Sequence, residues 1–263
     1  MKMRACAVAG MFYPREPSHL EQLLGTFFSG TSPVTGNPLG IVSPHAGYIY
    51  SGQVAAHSFA AIEEDFSGTF VIIGPSHRGY MTCASEVPWE TPLGVVDTDA
   101  EFVRAIDVDV DEFSHRDEHS IEVQVPFINY RFPRARIAPV MMGEQDYAGA
   151  IRLGEKIVHA IRQTKRDVRI VASSDFSHYV AEEKAKRDDL FAIEALETLD
   201  TKEFYRRIAE RQVTACGYGP ITAMVTACSR LGAKAATLIR YATSGDVTGD
   251  YREVVGYAGI AVI

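Results

Sequence analysis

Hydrophobic and polar positions divide the chain into short, largely apolar runs separated by longer stretches with helical periodicity. Leu39-Gly40-Ile41-Val42, Thr69-Phe70-Val71-Ile72-Ile73 and Val168-Arg169-Ile170-Val171-Ala172-Ser173 are rich in β-branched residues and too short for helices. Arg136 to Met142 is similar. Such runs predict strands covered on both faces. Helical spacing predicts a helix from about Ser18, as its cap, to Phe28, with Leu20, Leu23, Leu24 and Phe27 on one face. Ser51 is the expected cap of a helix carrying Gln53 to Ala60. Further helices are predicted near Glu101–Ile106, from about Asp117, from Asp146 to about Gln163, over Glu182–Leu199 and Thr201–Glu210, and from Pro220 to Leu231.

Between these lie an extended piece, Ala5 to Gly10, a loop over Gly30 to Pro38, and a hairpin-like region around Trp89, Pro92 and Gly94. Ala235–Tyr241 and Val254–Ile263 are expected to close the sheet, joined by the turn-rich Ser244 to Asp250. Strands alternating with helices predict an α/β fold. No linker, repeat or low-complexity tract divides the chain, so one domain over 1–263 is expected.

Composition changes this picture little. At 263 residues, with 46% hydrophobic and 23% charged positions, the chain can bury a full core. A formal charge of −8 argues against nucleic acid or an anionic membrane surface as partner. The four cysteines, Cys6, Cys83, Cys216 and Cys228, form no CxxC pair and are read as free thiols of a reducing compartment. Met1 to Phe12 imitates a signal peptide but ends at Tyr13-Pro14-Arg15-Glu16 without a cleavage site, so a cytoplasmic location is expected.

The candidate chemistry collects where predicted strands end. His45, His77 and His178 each follow one, and the carboxyl edge of an open α/β sheet is where ligands bind. Imidazole both ligates metals and titrates near neutrality. Cys216 lies in a glycine turn before a predicted helix, where the dipole favours thiolate, itself a strong ligand for soft metals. Asp175 is placed to orient an imidazole, and His119 and Glu122, three apart, are expected on one helical face near a substrate. His115-Arg116-Asp117-Glu118-His119 matches the HxxEH pattern of inverted zinc peptidases, but His115 lies outside the predicted helix, which counts against that reading. Neither phosphate-cradling glycine pattern nor a GxSxG elbow occurs.

Several of these stretches, with Val8-Ala9-Gly10-Met11-Phe12-Tyr13-Pro14, Pro44-His45-Ala46-Gly47-Tyr48 and Gly74-Pro75-Ser76-His77 among them, resemble the Memo family. So do Glu118-His119-Ser120-Ile121-Glu122, Ser173 to His178, Cys216-Gly217, Thr243-Ser244-Gly245-Asp246 and Val255-Gly256-Tyr257-Ala258. The matches run from end to end in order. The resemblance implies a three-layer α/β/α domain around a central mixed sheet, similar to class III extradiol dioxygenases. Those enzymes hold iron(II) with two histidines and a glutamate and use a further histidine as acid–base group. The resemblance thus implies His45 and His77 as metal ligands and His178 as the acid–base group, with Cys216 at the third ligand position. A thiolate there puts ring cleavage in doubt and directs the expectation to iron or copper, with zinc a further candidate.

Three functional readings stay open from the sequence. The first is a metal site acting by redox or oxygen-dependent chemistry on a small molecule, with His178, Asp175, His119 and Glu122 around the substrate. The second is a non-catalytic module that binds an anionic peptide or protein through the same cleft and Arg78. The third is a metal-dependent hydrolase. Prokaryotic relatives are often grouped with a radical-SAM protein, which the resemblance offers as a pathway partner.

Overall fold

In the central strands successive side chains enter two different cores, which explains why the runs are apolar at most positions rather than at alternate ones. Phe70, Ile72, Ile41 and Val171 face one, and Val71, Ile73, Val42 and Ile170 the other. The computed structural model describes residues 3–31 and 36–263. Positions 1 and 2, and residues 32–35 of the predicted loop, lie outside the described residues.

The strands are β1 (Gly40–Ser43), β2 (Thr69–Pro75), β3 (Cys83–Ala84), β4 (Trp89–Thr91), β5 (Gly94–Val96), β6 (Arg136–Met142), β7 (Val168–Ser173), β8 (His178–Val180), β9 (Ala236–Thr243) and β10 (Val254–Val262). The helices are α1 (Pro17–Ser29), α2 (Tyr48–Ala60), α3 (Ala100–Ile106), α4 (Glu112–His115), α5 (Val125–Arg131), α6 (Tyr147–Thr164), α7 (Glu182–Glu197), α8 (Thr201–Arg211), α9 (Tyr218–Leu231) and α10 (Gly245–Thr248). The main sheet runs β3-β6-β2-β7-β1-β10-β8, with β9 paired to β10. Its centre, β6-β2-β7-β1, is parallel, and β3, β8, β9 and β10 join antiparallel. The pair β4-β5 forms the separate hairpin around Pro92. Helices α1, α2 and α5 cover one face; α3, α6, α7 and α9 cover the other. The fold is therefore a three-layer α/β/α arrangement around a mixed sheet.

Register brings the site together. Ser43 of β1 pairs with Ser173 of β7, and Ile73 of β2 with Ala172. Parallel neighbours β2, β7 and β1 therefore release His77, Asp175 and His45 at one sheet edge.

Several local expectations are corrected. Helix α1 begins at Pro17 after an extended Glu16, so Ser18 lies in the first turn and does not cap it; proline suits that first position because its missing N–H costs nothing there. Helix α2 begins four residues early, with Gly47 rather than Ser51 before its first residue, Tyr48, and Ser51 Oγ donates back to the Ala46 carbonyl. Ala5 to Gly10 forms bends with isolated bridges, at Arg4 and Ala9, and no strand. The helix expected from Asp117 is absent: a 3-10 turn over Glu122–Gln124 leads into α5, and His119 lies in irregular backbone. The cause is Glu118, whose carboxylate takes the N–H groups of His119 and Ser120 that a helix would direct elsewhere. No helix among the described residues is long and apolar enough to cross a membrane.

Candidate metal centre

His45 leaves β1 fully buried, and its backbone N–H donates to Asp175 Oδ1 at 2.8 Å. Its ring nitrogen Nδ1 lies 2.8 Å from Ser173 Oγ. That hydroxyl has one proton, which goes to the Ser120 carbonyl at 2.6 Å, and it also accepts from Gln124 Nε2 at 2.9 Å. Ser173 can only accept from the imidazole, so His45 carries its proton on Nδ1 and presents a lone pair at Nε2. Cys216 Sγ stands 3.1 Å from that Nε2.

His77 follows β2 at the surface, and both its backbone N–H and Nδ1 contact the Glu118 carboxylate, at 2.7 and 2.9 Å. Burial pushes the Glu118 carboxyl up, but hydrogen bonds from His77 and the Ser120 N–H outweigh it and hold the group down at about 2. An anionic carboxylate only accepts, so His77 carries a proton on Nδ1, which leaves Nε2 as the nitrogen turned away from Glu118 and placed to meet a metal. His178 shows the same device with a different partner: its N–H meets Thr214 Oγ1 at 2.7 Å and its Nδ1 the Thr214 carbonyl at 2.9 Å.

Cys216 lies in the turn before α9. Its N–H donates to the Asp175 carbonyl, and the Asp175 N–H donates to its sulfur at 3.2 Å. Gly217 follows for a steric reason: a Cβ there would lie 2.4 Å from the Ser173 carbonyl. The dipole argument for a thiolate fails in this protein. Burial, then the nearby Asp175 charge, pushes the thiol well up, so the metal-free pair is a thiol donating to a neutral imidazole. Burial and three neighbouring imidazoles push His45 well down in turn.

His45, His77 and Cys216 offer ligand atoms that all lie within 4.8 Å of one another. A tetrahedral ion with bonds of ~2.0–2.3 Å sets its ligands roughly 3.3–3.8 Å apart, so the set closes on an ion with small shifts. Two lone-pair nitrogens and one sulfur suit a borderline or soft metal. His77, Glu118 and His119 form a second such group, but the Glu118 oxygens are already used by backbone and ring N–H donors.

A cavity of about 560 Å³ opens over these residues, lined by Phe12, Tyr50, Tyr179 and Tyr257 beside His45, His77, His119, Asp175 and His178. His119 stacks on His77 with ring centroids 4.5 Å apart, and burial, then His77, lowers it to about 4. Asp175 is buried, and desolvation raises it to about 6. Tyr179, beside His178, holds a left-handed φ of 55°, a conformation costing a bulky residue about 1–3 kcal/mol and concentrated at functional sites.

The structure thus gathers His45, His77, Cys216, Asp175, His178 and His119, and it separates Glu122. That carboxylate is buried away from the cleft, paired with Arg4 at 2.6 Å and bonded by Tyr13 and the Ala7 and Val8 N–H groups. Glu122 holds the N-terminal segment and does not approach a substrate. Asp175 orients the His45 backbone, and Thr214 takes the part expected of it towards His178. His115 is packed against Trp89 with Nε2 on the Cys83 carbonyl, which removes the HxxEH pairing. Arg78 is outside the cavity lining and donates to the Asp117 carbonyl. Ser173 and Thr214 were missed because their partners are remote in the chain. Glu118 stands in two of the quoted motifs, but its role as the partner of His77 has no signal in the local sequence.

A family model described as Memo-like protein matches residues 4–261. A MEMO1 family protein of Methanosarcina mazei is 47% identical over 269 residues, covering all of both chains. Another, of Methanococcoides burtonii, is 46% identical over 266 residues, 99% of this chain and 100% of the relative. One from Methanocaldococcus jannaschii is 40% identical over 284 residues, 99% of each.

Proposed function

The chain belongs to the Memo family, and from the geometry of its cleft we propose that it binds a redox-active metal, iron or copper, through His45, His77 and Cys216. The observation that carries this reading is the 3.1 Å approach of Cys216 Sγ to a His45 Nε2 whose lone pair is fixed by Ser173. A bound iron or copper would supply one-electron or oxygen-dependent chemistry to a small molecule in the cavity. The chain's own residues would do the rest. His178, with Nδ1 committed to Thr214, has Nε2 free to take a proton from a bound molecule. Phe12, Tyr50, Tyr179 and Tyr257 supply apolar and aromatic walls that fit an organic ring or chain. Among the described residues the cavity lining contains no lysine or arginine, and burial lowers His45 and His119, so an anionic peptide finds no permanent cation in that lining.

The test is anaerobic titration of wild type and Cys216→Ser with iron(II), copper(I) and zinc in parallel. Near-stoichiometric binding of iron or copper, weakened at least tenfold by the substitution, is the expected result. Equal affinity in both proteins would remove Cys216 from the ligand set. Tight zinc binding alone, with ester or amide cleavage, would replace this reading by the hydrolase.

A further inference from the structure

The turn that carries Cys216 is gripped by a side chain from the loop between β6 and α6. Gln145 follows β6 and precedes α6, outside the cavity lining. Its Nε2 donates to the Cys216 carbonyl at 2.8 Å, and its Oε1 accepts the Gly219 N–H, also at 2.8 Å. One planar amide therefore spans the turn, bonding an acceptor and a donor three residues apart. The orientation of that amide is determined, because flipping it would set oxygen against carbonyl and NH2 against N–H.

Gly219 N–H is one of the orphan donors of α9, whose N-cap, Gly217, has no side chain to offer. Gln145 satisfies it from outside the helix. The contact leaves no slack, since a Cβ on Gly219 would lie 2.9 Å from Gln145 Cβ and Cγ. Gln145 is itself held at its backbone carbonyl by Tyr205 Oη at 2.8 Å. On the opposite side the turn is tied to the exit of β7, through Cys216 N–H to the Asp175 carbonyl and Gly217 N–H to Ser174 Oγ. Remove the amide and only that side remains. The turn can then rotate about its β7 contacts and carry Sγ off the His45 nitrogen.

We infer that Gln145 is a positioning residue for Cys216: it fixes the turn so that the sulfur meets His45 Nε2, without touching metal or substrate. The inference rests on the reading of Cys216 as a ligand where it concerns metal, and on geometry alone where it concerns the place of the sulfur. Residues that orient a metal ligand typically contribute ten- to a hundredfold in affinity. Gln145→Met keeps the length and loses both bonds. Gln145→Glu keeps the acceptor for Gly219 and loses the donor to Cys216.

Two measurements test it, in a Cys6→Ser background so that Cys216 is the accessible thiol. One is cobalt(II) titration, following the thiolate-to-cobalt charge-transfer band. The other is the alkylation rate of the metal-free thiol by iodoacetamide. The expected result is about tenfold weaker cobalt binding with a shifted band in the Met variant, a smaller change in the Glu variant, and alkylation several-fold faster in the same order. Cobalt affinity, band and alkylation rate all unchanged in a folded Met variant would overturn the inference while leaving the metal site standing. If wild type itself shows no thiolate band, the metal reading fails; the alkylation rates then decide the positioning role alone, equal rates overturning it. If the Met variant does not fold, the Glu variant carries the same comparison with the same outcomes.

Discussion

Ser173 has a single proton, given to Ser120, so its lone pairs face Gln124 and His45. Ser173→Ala removes the acceptor that keeps the imidazole proton on Nδ1 and leaves that N–H buried without a partner. Such an orphan costs about 1–3 kcal/mol, and the freed tautomer can place its proton on the ligating nitrogen. The expected outcome is a drop in urea midpoint together with metal affinity lowered roughly tenfold or more, the typical effect of removing a ligand's hydrogen-bond partner. Unchanged affinity in a destabilised variant would mean that packing alone orients His45. Glu118 makes a prediction about pH. Its folded value of about 2 lies below the ordinary 4.5, so the folded state binds fewer protons than the unfolded chain between those values. Its contribution is fully present above pH 4.5 and is lost as pH falls towards 2. His115 and His119, lowered to about 4 from 6.5 chiefly by burial, act in the same direction between pH 6.5 and 4. Asp175, raised to about 6 by burial, acts in the opposite sense between pH 6 and 3.8, so urea unfolding of the metal-free protein should show a partly offset loss of stability in that range and a continuing loss below pH 4.5 as Glu118 is protonated. Glu118→Gln should make the loss of stability below pH 4.5 smaller than in wild type.

The N-terminal segment shows how one buried side chain governs an element. Arg4 donates to the His115 and Glu118 carbonyls, lies over the Trp89 ring and pairs with Glu122. Glu122 in turn holds the Ala7 and Val8 N–H groups and Tyr13, fixing the bend that sets Phe12 against His119. Both partners of this ion pair are almost wholly enclosed. Glu122→Ala would strand the Arg4 charge and should cost about 3–5 kcal/mol in urea unfolding, whereas Arg4→Met with Glu122→Met should recover much of it. A double variant no more stable than the single one would show that the tyrosine and backbone bonds, not the charge pair, hold the segment. Elements of this kind were the ones least legible in the sequence. The central strands were readable because burial on both faces leaves a largely apolar run, and α6 because Asp146, which accepts the Gly149 N–H only three residues on, caps an amphipathic repeat. The strand-end positions of His45 and His77 followed from those runs. Glu122 looked like a neighbour of His119 because helical spacing was assumed where Glu118 diverts the backbone. Gln145, Ser173 and Thr214 gave no local signal, since each acts on a residue dozens of positions away.

Across the whole molecule the candidate ligands come from three separately packed pieces: the exits of β1 and β2 and the turn before α9. The first two are neighbours of β7 in one parallel sheet, while α9 packs against α6 in the core on the opposite face from α2. An ion joining them would cross-link elements that the chain must otherwise hold by burial and by bonds to Asp175. Binding to the folded state alone stabilises by RT ln(1 + [L]/Kd), about 2.7 kcal/mol at a hundredfold excess over Kd. For a chain of this size that corresponds to a rise in Tm of roughly 5 °C or more. The metal-free thiol is protonated, so uptake also releases its proton, and apparent affinity should strengthen as pH rises. Thermal scans with and without iron(II) or copper(I) under nitrogen should show that rise in wild type and a clearly smaller one in Cys216→Ser. The pH dependence separates this site from a merely histidine-based one. The thiol must lose its proton to ligate, so a Tm shift that is flat between pH 7 and 8.5 would mean that the sulfur is not a ligand, whatever the size of the shift.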